Sequence, residues 1–207
     1  MHFIVVLLLV IISYLIGSIP FGYLLTKFFK GKDVRTKGTG NIGASNTLLV
    51  GGKRAGFLTL FLDMLKGTVA VLLALTYGRT DMAVILCGLA VVIGHDFPIF
   101  LKFKGGKGIA PTGGAMFAVD PVITVICLLC YALVLVITRY VILSTLIVLA
   151  LLPVLLWMAS FSFDYILFGF LLFLLALYTH RADIKRFLSG EEVTIDKSRV
   201  KYTKEFD

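Results

Sequence analysis

The sequence predicts an all-α polytopic membrane protein: seven transmembrane helices, with the N-terminus outside and the C-terminus cytoplasmic. Three observations lead there. Of 207 residues, 59% are apolar and only 15% charged, against about 45–50% and about 25% in soluble domains. The apolar residues lie in long unbroken runs such as Phe3–Ile16 and Val141–Trp157. The basic residues fall almost entirely on one set of alternate connections.

The first apolar run, 3–26, has no basic segment before it and no small-residue cleavage site after it, so it is expected to stay as a span. Further runs at 55–77, 81–101, 109–119, 121–138, 140–159 and 163–180 complete the set, and roughly 189–207 reads as a polar cytoplasmic tail. The chain 1–207 is thus one membrane-integral domain. A span needs about 20 residues. The run 109–119 is short and Gly-rich, which suits a tilted or partly re-entrant segment, or one inside a protein-lined cavity. The runs are continuous rather than alternating, which favours helices over a barrel. The three cysteines, Cys87, Cys127 and Cys130, all sit in apolar runs and read as small buried residues rather than a redox or metal pair.

With the N-terminus outside, the inner connections are 27–54, 102–108, 139 and 181–207. Every one of the 20 Lys and Arg residues except Arg79 then lies on or near the inner face. The net charge of +8 follows from orientation and attraction to anionic lipid. A basic inner face also gathers phosphorylated metabolites. Nucleic acid is not needed to explain it, and no metal or other cofactor is expected.

Polar residues cluster in three places, all on that inner side. The first is Arg35-Thr36-Lys37-Gly38-Thr39-Gly40-Asn41-Ile42-Gly43-Ala44-Ser45-Asn46. Gly38, Gly40 and Gly43 fit G-x-G-x-x-G, but a dinucleotide fold needs a preceding strand and a parallel sheet. What remains is an anion-favouring nest of backbone N–H groups, with Thr39, Asn41, Ser45 and Asn46 as neutral donors. The second runs from Gly94-His95-Asp96 to Lys104-Gly105-Gly106-Lys107-Gly108. It is not a P-loop, yet it sets two ammonium groups beside backbone that a ligand can approach closely. Lys102, among apolar neighbours, reads as a snorkelling anchor. The third is His180-Arg181-Ala182-Asp183-Ile184-Lys185-Arg186-Phe187, followed by Gly190-Glu191-Glu192. On a continuing helix His180 and Asp183 share a face, while Lys185 and Arg186 are expected at lipid headgroups. Inside the second span, Asp63 and Lys66 are spaced to pair, and ionised groups at that depth imply a bundle-facing role. Together the clusters describe a basic, Gly-lined cup for an amphiphile, with the anionic head in the nest and the chain between helices.

These segments resemble the bacterial acyl-phosphate:glycerol-3-phosphate acyltransferases, the PlsY-type membrane enzymes. The likeness covers nearly the whole chain: Gly17-Ser18-Ile19-Pro20-Phe21-Gly22, Gly38 to Asn46, Asp63-Met64-Leu65-Lys66-Gly67, Gly94-His95 to Gly108, and His180-Arg181 to Glu191. The resemblance implies seven spans, a bacterial inner-membrane location and a cytoplasmic-face site. It also implies transfer of a fatty acyl group from acyl-phosphate to the 1-hydroxyl of sn-glycerol 3-phosphate. The products are then 1-acyl-glycerol 3-phosphate (lysophosphatidate) and phosphate. Substrates and membrane lipids are the expected partners, and the sequence is silent on oligomeric state.

The mixed anhydride is already activated, so the site must hold two repelling phosphates and stabilise developing charge. Lys104, Lys107 and backbone N–H groups suit that task, and alignment of two substrates contributes about 7–11 kcal/mol. Lys107 and His180 are the expected catalytic residues. Arg35, Gly38, Thr39, Gly40, Asn41, Ser45, Asn46, His95, Lys104, Gly105, Gly106 and Asp183 are the expected substrate-binding residues. For the hydroxyl proton, His180 is a base by type and the donor's phosphate is another acceptor; the phosphate is favoured, with His180 positioning the glycerol.

The chain departs from the family at several positions. Thr39 and Ser45 exchange one hydroxyl residue for another, and Pro111 stands where a Thr is usual. Asp183 replaces an Asn, and Leu49 replaces an Arg associated with substrate phosphate, with Lys53 and Arg54 nearby. The last two motivate alternatives: a paralogue with another acceptor, or a silent membrane partner. A transporter for a phosphorylated or lipid substrate is a further alternative, suggested by Asp63, Lys66 and the short fourth segment.

Overall fold

The computed structural model describes residues 2–195, and all regular structure among them is helical. The helices are α1 (His2–Ser18), α2 (Phe21–Lys30), α3 (Ala44–Leu73), α4 (Asp81–Asp96) and α5 (Ile109–Val119), then α6 (Pro121–Thr138), α7 (Val141–Met158), α8 (Phe163–Thr179) and α9 (Arg181–Leu188). Part of the expected polar tail, 196–207, lies outside the described residues.

Local chemistry sets the breaks. Pro20 separates α1 from α2, because it lacks the N–H that would continue the helix. Asp120 caps α6, its carboxylate accepting from the Ile123 N–H at 2.8 Å, with Pro121 as first helical residue. Thr80 caps α4 in the same manner through the Ala83 N–H, at 3.2 Å. Within α3, Gly52 takes φ 85°, a left-handed backbone that divides the helix into a short arm and a long span.

Among the described residues, five stretches are long and apolar enough to cross a membrane: His2–Lys30, Ala44–Gly78, Asp81–Leu101, Pro121–Thr138 and Val141–Met158. The pair α8 and α9, bent by 63° at His180, adds a sixth when taken together as one span. The segment expected at 109–119 is the short α5, about 16 Å long at 1.5 Å per residue. Outward faces carry large apolar side chains such as Phe57, Val122, Leu129 and Trp157, as lipid contact requires. Inside, Phe168, Leu152, Leu156 and Leu172 pack with Ile85, Val91, Val92 and Met116, joining α4, α5, α7 and α8. Cys87 is buried, and all three cysteines are free.

Lipid offers no hydrophobic drive between helices, so close backbone packing does the work. Gly67 lies against Pro111 and Ala115, and Gly114 against the Met64 carbonyl, drawing α3 onto α5. Gly17 on α1 meets Val91, and Gly94 on α4 meets Tyr14, drawing α1 onto α4. These two joints pair α3 with α5 and α1 with α4, and Lys66 on α3, reaching His95 on α4 and the Ile19 carbonyl after α1, ties the pairs together.

Candidate functional site

The loop ahead of α3 is organised by one side chain. Asn46, 2% exposed, accepts from the Thr39 N–H at 2.8 Å and donates to the carbonyls of Val34 (2.8 Å), Lys37 (3.1 Å) and Asn41 (2.8 Å). Its amide is committed to the loop and is no open ligand donor, a revision of the sequence expectation. The supposed nest is likewise closed on itself. The Gly40 N–H donates to Lys37 at 3.1 Å, and the Gly43 N–H to the Asn41 side chain at 2.7 Å. Gly38 takes φ 61°, and a Cβ there would strike the Asn46 amide, so the position needs glycine on both counts. The first turn of α3 starts at Ala44 with no side-chain cap and with Ser45 exposed, and an uncapped helix start offers backbone N–H donors.

Arg35 is braced rather than free. Its Nε and Nη2 donate to Asp33 at 3.0 and 2.6 Å, and its guanidinium lies 4.9 Å from the Tyr23 ring centre. The guanidinium hydrogen-bonded to Asp33 holds that carboxyl below its usual range. Asp33 and Tyr23 escaped the sequence reading, although an Asp two residues before an Arg was a visible signal. Leu49 is half-buried, whereas Lys53 and Arg54 are exposed past the Gly52 break and form no ion pair among the described residues.

The second cluster is built over a buried polar group. Lys66 Nζ lies 2.7 Å from Asp63 Oδ1 and 2.8 Å from His95 Nδ1, and it reaches the Ile19 carbonyl at 3.4 Å. The expected i, i+3 pair is formed, with both side chains 2% exposed. An ammonium can only donate, so His95 Nδ1 accepts and Nε2 holds the ring proton. The His95 carbonyl accepts from the Gly106 N–H at 2.9 Å. A Cβ at Gly105 or Gly106 would collide with His95. The two glycines therefore let the lysine-bearing loop lie flat on His95, which acts from beneath the loop. Asp96, also buried, faces Gly108, and neither of its carboxylate oxygens has a hydrogen-bond partner.

The third cluster meets the second directly. Lys107 Nζ is 2.5 Å from Asp183 Oδ2, and Asp183 also binds Arg186. Arg186 Nε donates to Glu192 at 2.7 Å, so this arginine braces the end of α9 instead of meeting headgroups as expected. Lys185 is exposed. His180 is buried at the α8–α9 bend, its Nδ1 2.9 Å from the Ala176 carbonyl. A carbonyl only accepts, so Nδ1–H donates and the Nε2 lone pair remains for a hydroxyl. Lys104 is exposed and forms no ion pair among the described residues.

The first and second clusters share an apolar base of Val34, Ile42, Val50 and Leu101, with Tyr23 packed against it. The second and third are tied by Lys107 and Asp183. All three are thus brought to one place. Beside it, Ile19, Pro20, Tyr23, Leu24, Phe100 and Leu101 line an apolar hollow of about 370 Å³.

The glycerol-3-phosphate acyltransferase family model matches residues 7–190. The chain belongs to this family. It is 42% identical over 194 residues to the glycerol-3-phosphate acyltransferase of Desulforamulus reducens, covering 93% of this chain and 96% of that one. Against the Clostridioides difficile protein of the same name it is 40% identical, covering 93% and 97%. The fold matches the crystal structure of PlsY (YgiH), an integral membrane glycerol 3-phosphate acyltransferase, in its glycerol 3-phosphate form. The TM-score is 0.87 at 37% identity, over 92% of this chain and 95% of PlsY. The lysophosphatidic acid form of PlsY matches with a TM-score of 0.84 at 36% identity, over 91% and 94%. By family, then, this chain is a membrane-embedded acyltransferase.

Proposed function

We propose that this acyltransferase moves a fatty acyl group from acyl-phosphate to the 1-hydroxyl of sn-glycerol 3-phosphate, releasing lysophosphatidate and phosphate. The observation that supports the reading is the Lys107–Asp183 ion pair, which ties the loop of Lys104 and Lys107 to the helix that follows His180, while Phe100 and Leu101, just before that loop, line an apolar hollow. An amphiphilic donor suits that pairing: phosphate at the lysines, chain in the hollow. Lys104, Lys107, the Thr39 and Ser45 hydroxyls and the first turn of α3 hold the phosphates. His180 Nε2 accepts from the glycerol hydroxyl and so positions it. The hydroxyl oxygen attacks the acyl carbon, the bond from that carbon to the phosphate oxygen breaks, and the leaving phosphate takes the proton. Asn46, Arg35 and His95 act by holding the loops in shape.

The same reading places the protein in the bacterial inner membrane, N-terminus out, with seven crossings and a cytoplasmic site. Tight packing of α5 on α3 supports counting α5 as a crossing, and the distribution of Lys and Arg supports the orientation. Transport has less support, because Lys66 is enclosed by Asp63, His95 and Ile19. The test is phosphate release from palmitoyl-phosphate by purified protein. Release dependent on glycerol 3-phosphate, and lost in Lys107→Ala with the fold intact, is expected; release indifferent to every acceptor defeats the proposal.

A further inference from the structure

The two loop lysines are not equivalent. Lys104 is exposed and without an ion-pair partner among the described residues, whereas Lys107 is held by Asp183. The ends of that contact are unequal too. The Asp183 side chain is 6% exposed and is gripped from behind by Arg186. Arg186 is fixed by Glu192 through its side chain, and its carbonyl accepts from the Glu191 and Glu192 N–H groups at 2.8 and 3.1 Å. The Lys107 side chain is 31% exposed, on a flexible stem between Gly106 and Gly108. One partner is anchored and the other is free to swing.

We infer that Asp183 competes with a phosphate monoester for the Lys107 ammonium and thereby sets the affinity of the site for phosphorylated ligands. A dianionic phosphate attracts an ammonium more strongly than a single carboxylate does at the same distance. Removing one partner from a buried ion pair is ordinarily costly because it strands a charge. Here Arg186 stays on Asp183 when Lys107 turns away, so the carboxylate keeps a cation in both arrangements. Asp183 therefore discriminates: a dianionic head group displaces it, while a neutral or singly charged one does so poorly. Only the identity of the phosphate ligand rests on the acyl-transfer reading; the competition rests on the ion pairs.

Two variants move the balance in opposite directions. Asp183→Asn keeps the shape and removes the competing charge. Arg186→Ala removes the retaining cation and leaves the carboxylate to Lys107 alone. Steady-state kinetics with glycerol 3-phosphate and palmitoyl-phosphate varied separately show which head group Lys107 receives. For that substrate, KM falls about three- to tenfold in Asp183→Asn and rises by a similar factor in Arg186→Ala, the range of an ion pair with one buried partner. A structural role for Asp183 moves both variants the same way, and that result, or unchanged KM for both substrates, overturns the inference. If Asp183→Asn does not fold, Asp183→Ser takes its place, and a fall in KM is again required. Calorimetric titration with inorganic phosphate repeats the comparison without turnover. Tighter binding to Asp183→Asn than to the parent supports the competition, and equal or weaker binding refutes it, whether or not glycerol 3-phosphate is the acceptor.

Discussion

Asn46 shows how one buried amide can carry a loop. Both of its polar atoms are used, one accepting from Thr39 and the other donating to three carbonyls. Asn46→Ala leaves those groups to find water or remain unmet, at about 1–3 kcal/mol for each one that stays buried. The expected result is a fall in the detergent-phase unfolding midpoint equivalent to about 2–4 kcal/mol, with a rise of about tenfold or more in KM for glycerol 3-phosphate as the first turn of α3 loses its support. A variant with unchanged midpoint and KM would show that the loop is shaped by its glycines alone. The sequence marks Asn46 as polar and near phosphate-friendly glycines. It does not show which way the amide faces, because the competing acceptors, Val34 and Lys37, are set by the path of the loop. His95 and Arg35 hid their roles for the same reason: a residue type tells what a group is able to bond, and only the fold tells what it meets.

At the level of elements, α3 and α5 form a close joint, and two neighbouring glycines test it. A Cβ on Gly114 would run into the Met64 carbonyl, while one on Gly113 meets open space. Backbone on the facing helix cannot yield as a side-chain tip does. Gly114→Ala therefore costs about 1–3 kcal/mol in overpacking, and Gly113→Ala gains up to about 1 kcal/mol from helix propensity. Thermal unfolding of both variants in one detergent reads the contrast; equal midpoints would mean that α5 does not press on α3. Most elements were legible because apolar runs bounded by Pro, Gly and charge leave few choices. Span ends were less so. The first span runs on to Lys30, past the expected end at 26 and across the Pro20 break, and the second, expected from 55, starts at Ala44 inside the polar loop. Polar residues pulled into the bundle by backbone contacts look like loop until the contacts are known.

For the whole molecule, the argument turns on sidedness. Three polar clusters far apart in the chain gather at one end, joined by Leu101 and by Lys107 with Asp183. That convergence was legible from the basic residues, because a single rule about charge and membranes orders all of them together. The closure between clusters was not, since it depends on individual side chains meeting across helices. Orientation itself is open to a direct measurement. In a background lacking Cys87, Cys127 and Cys130, single cysteines are placed at Arg79, Thr39 and Lys104, all exposed. A membrane-impermeant maleimide applied to intact cells labels the position 79 cysteine at once. Those at 39 and 104 react only after the membrane is opened. The reverse pattern would turn the basic cup away from cytoplasmic metabolites and remove the acceptor substrate. Labelling of 39 but not 104 would separate the clusters that Leu101 joins. Positions 39 and 104 must therefore behave alike, and opposite to 79, for a cytoplasmic acyl transfer to be possible on this scaffold.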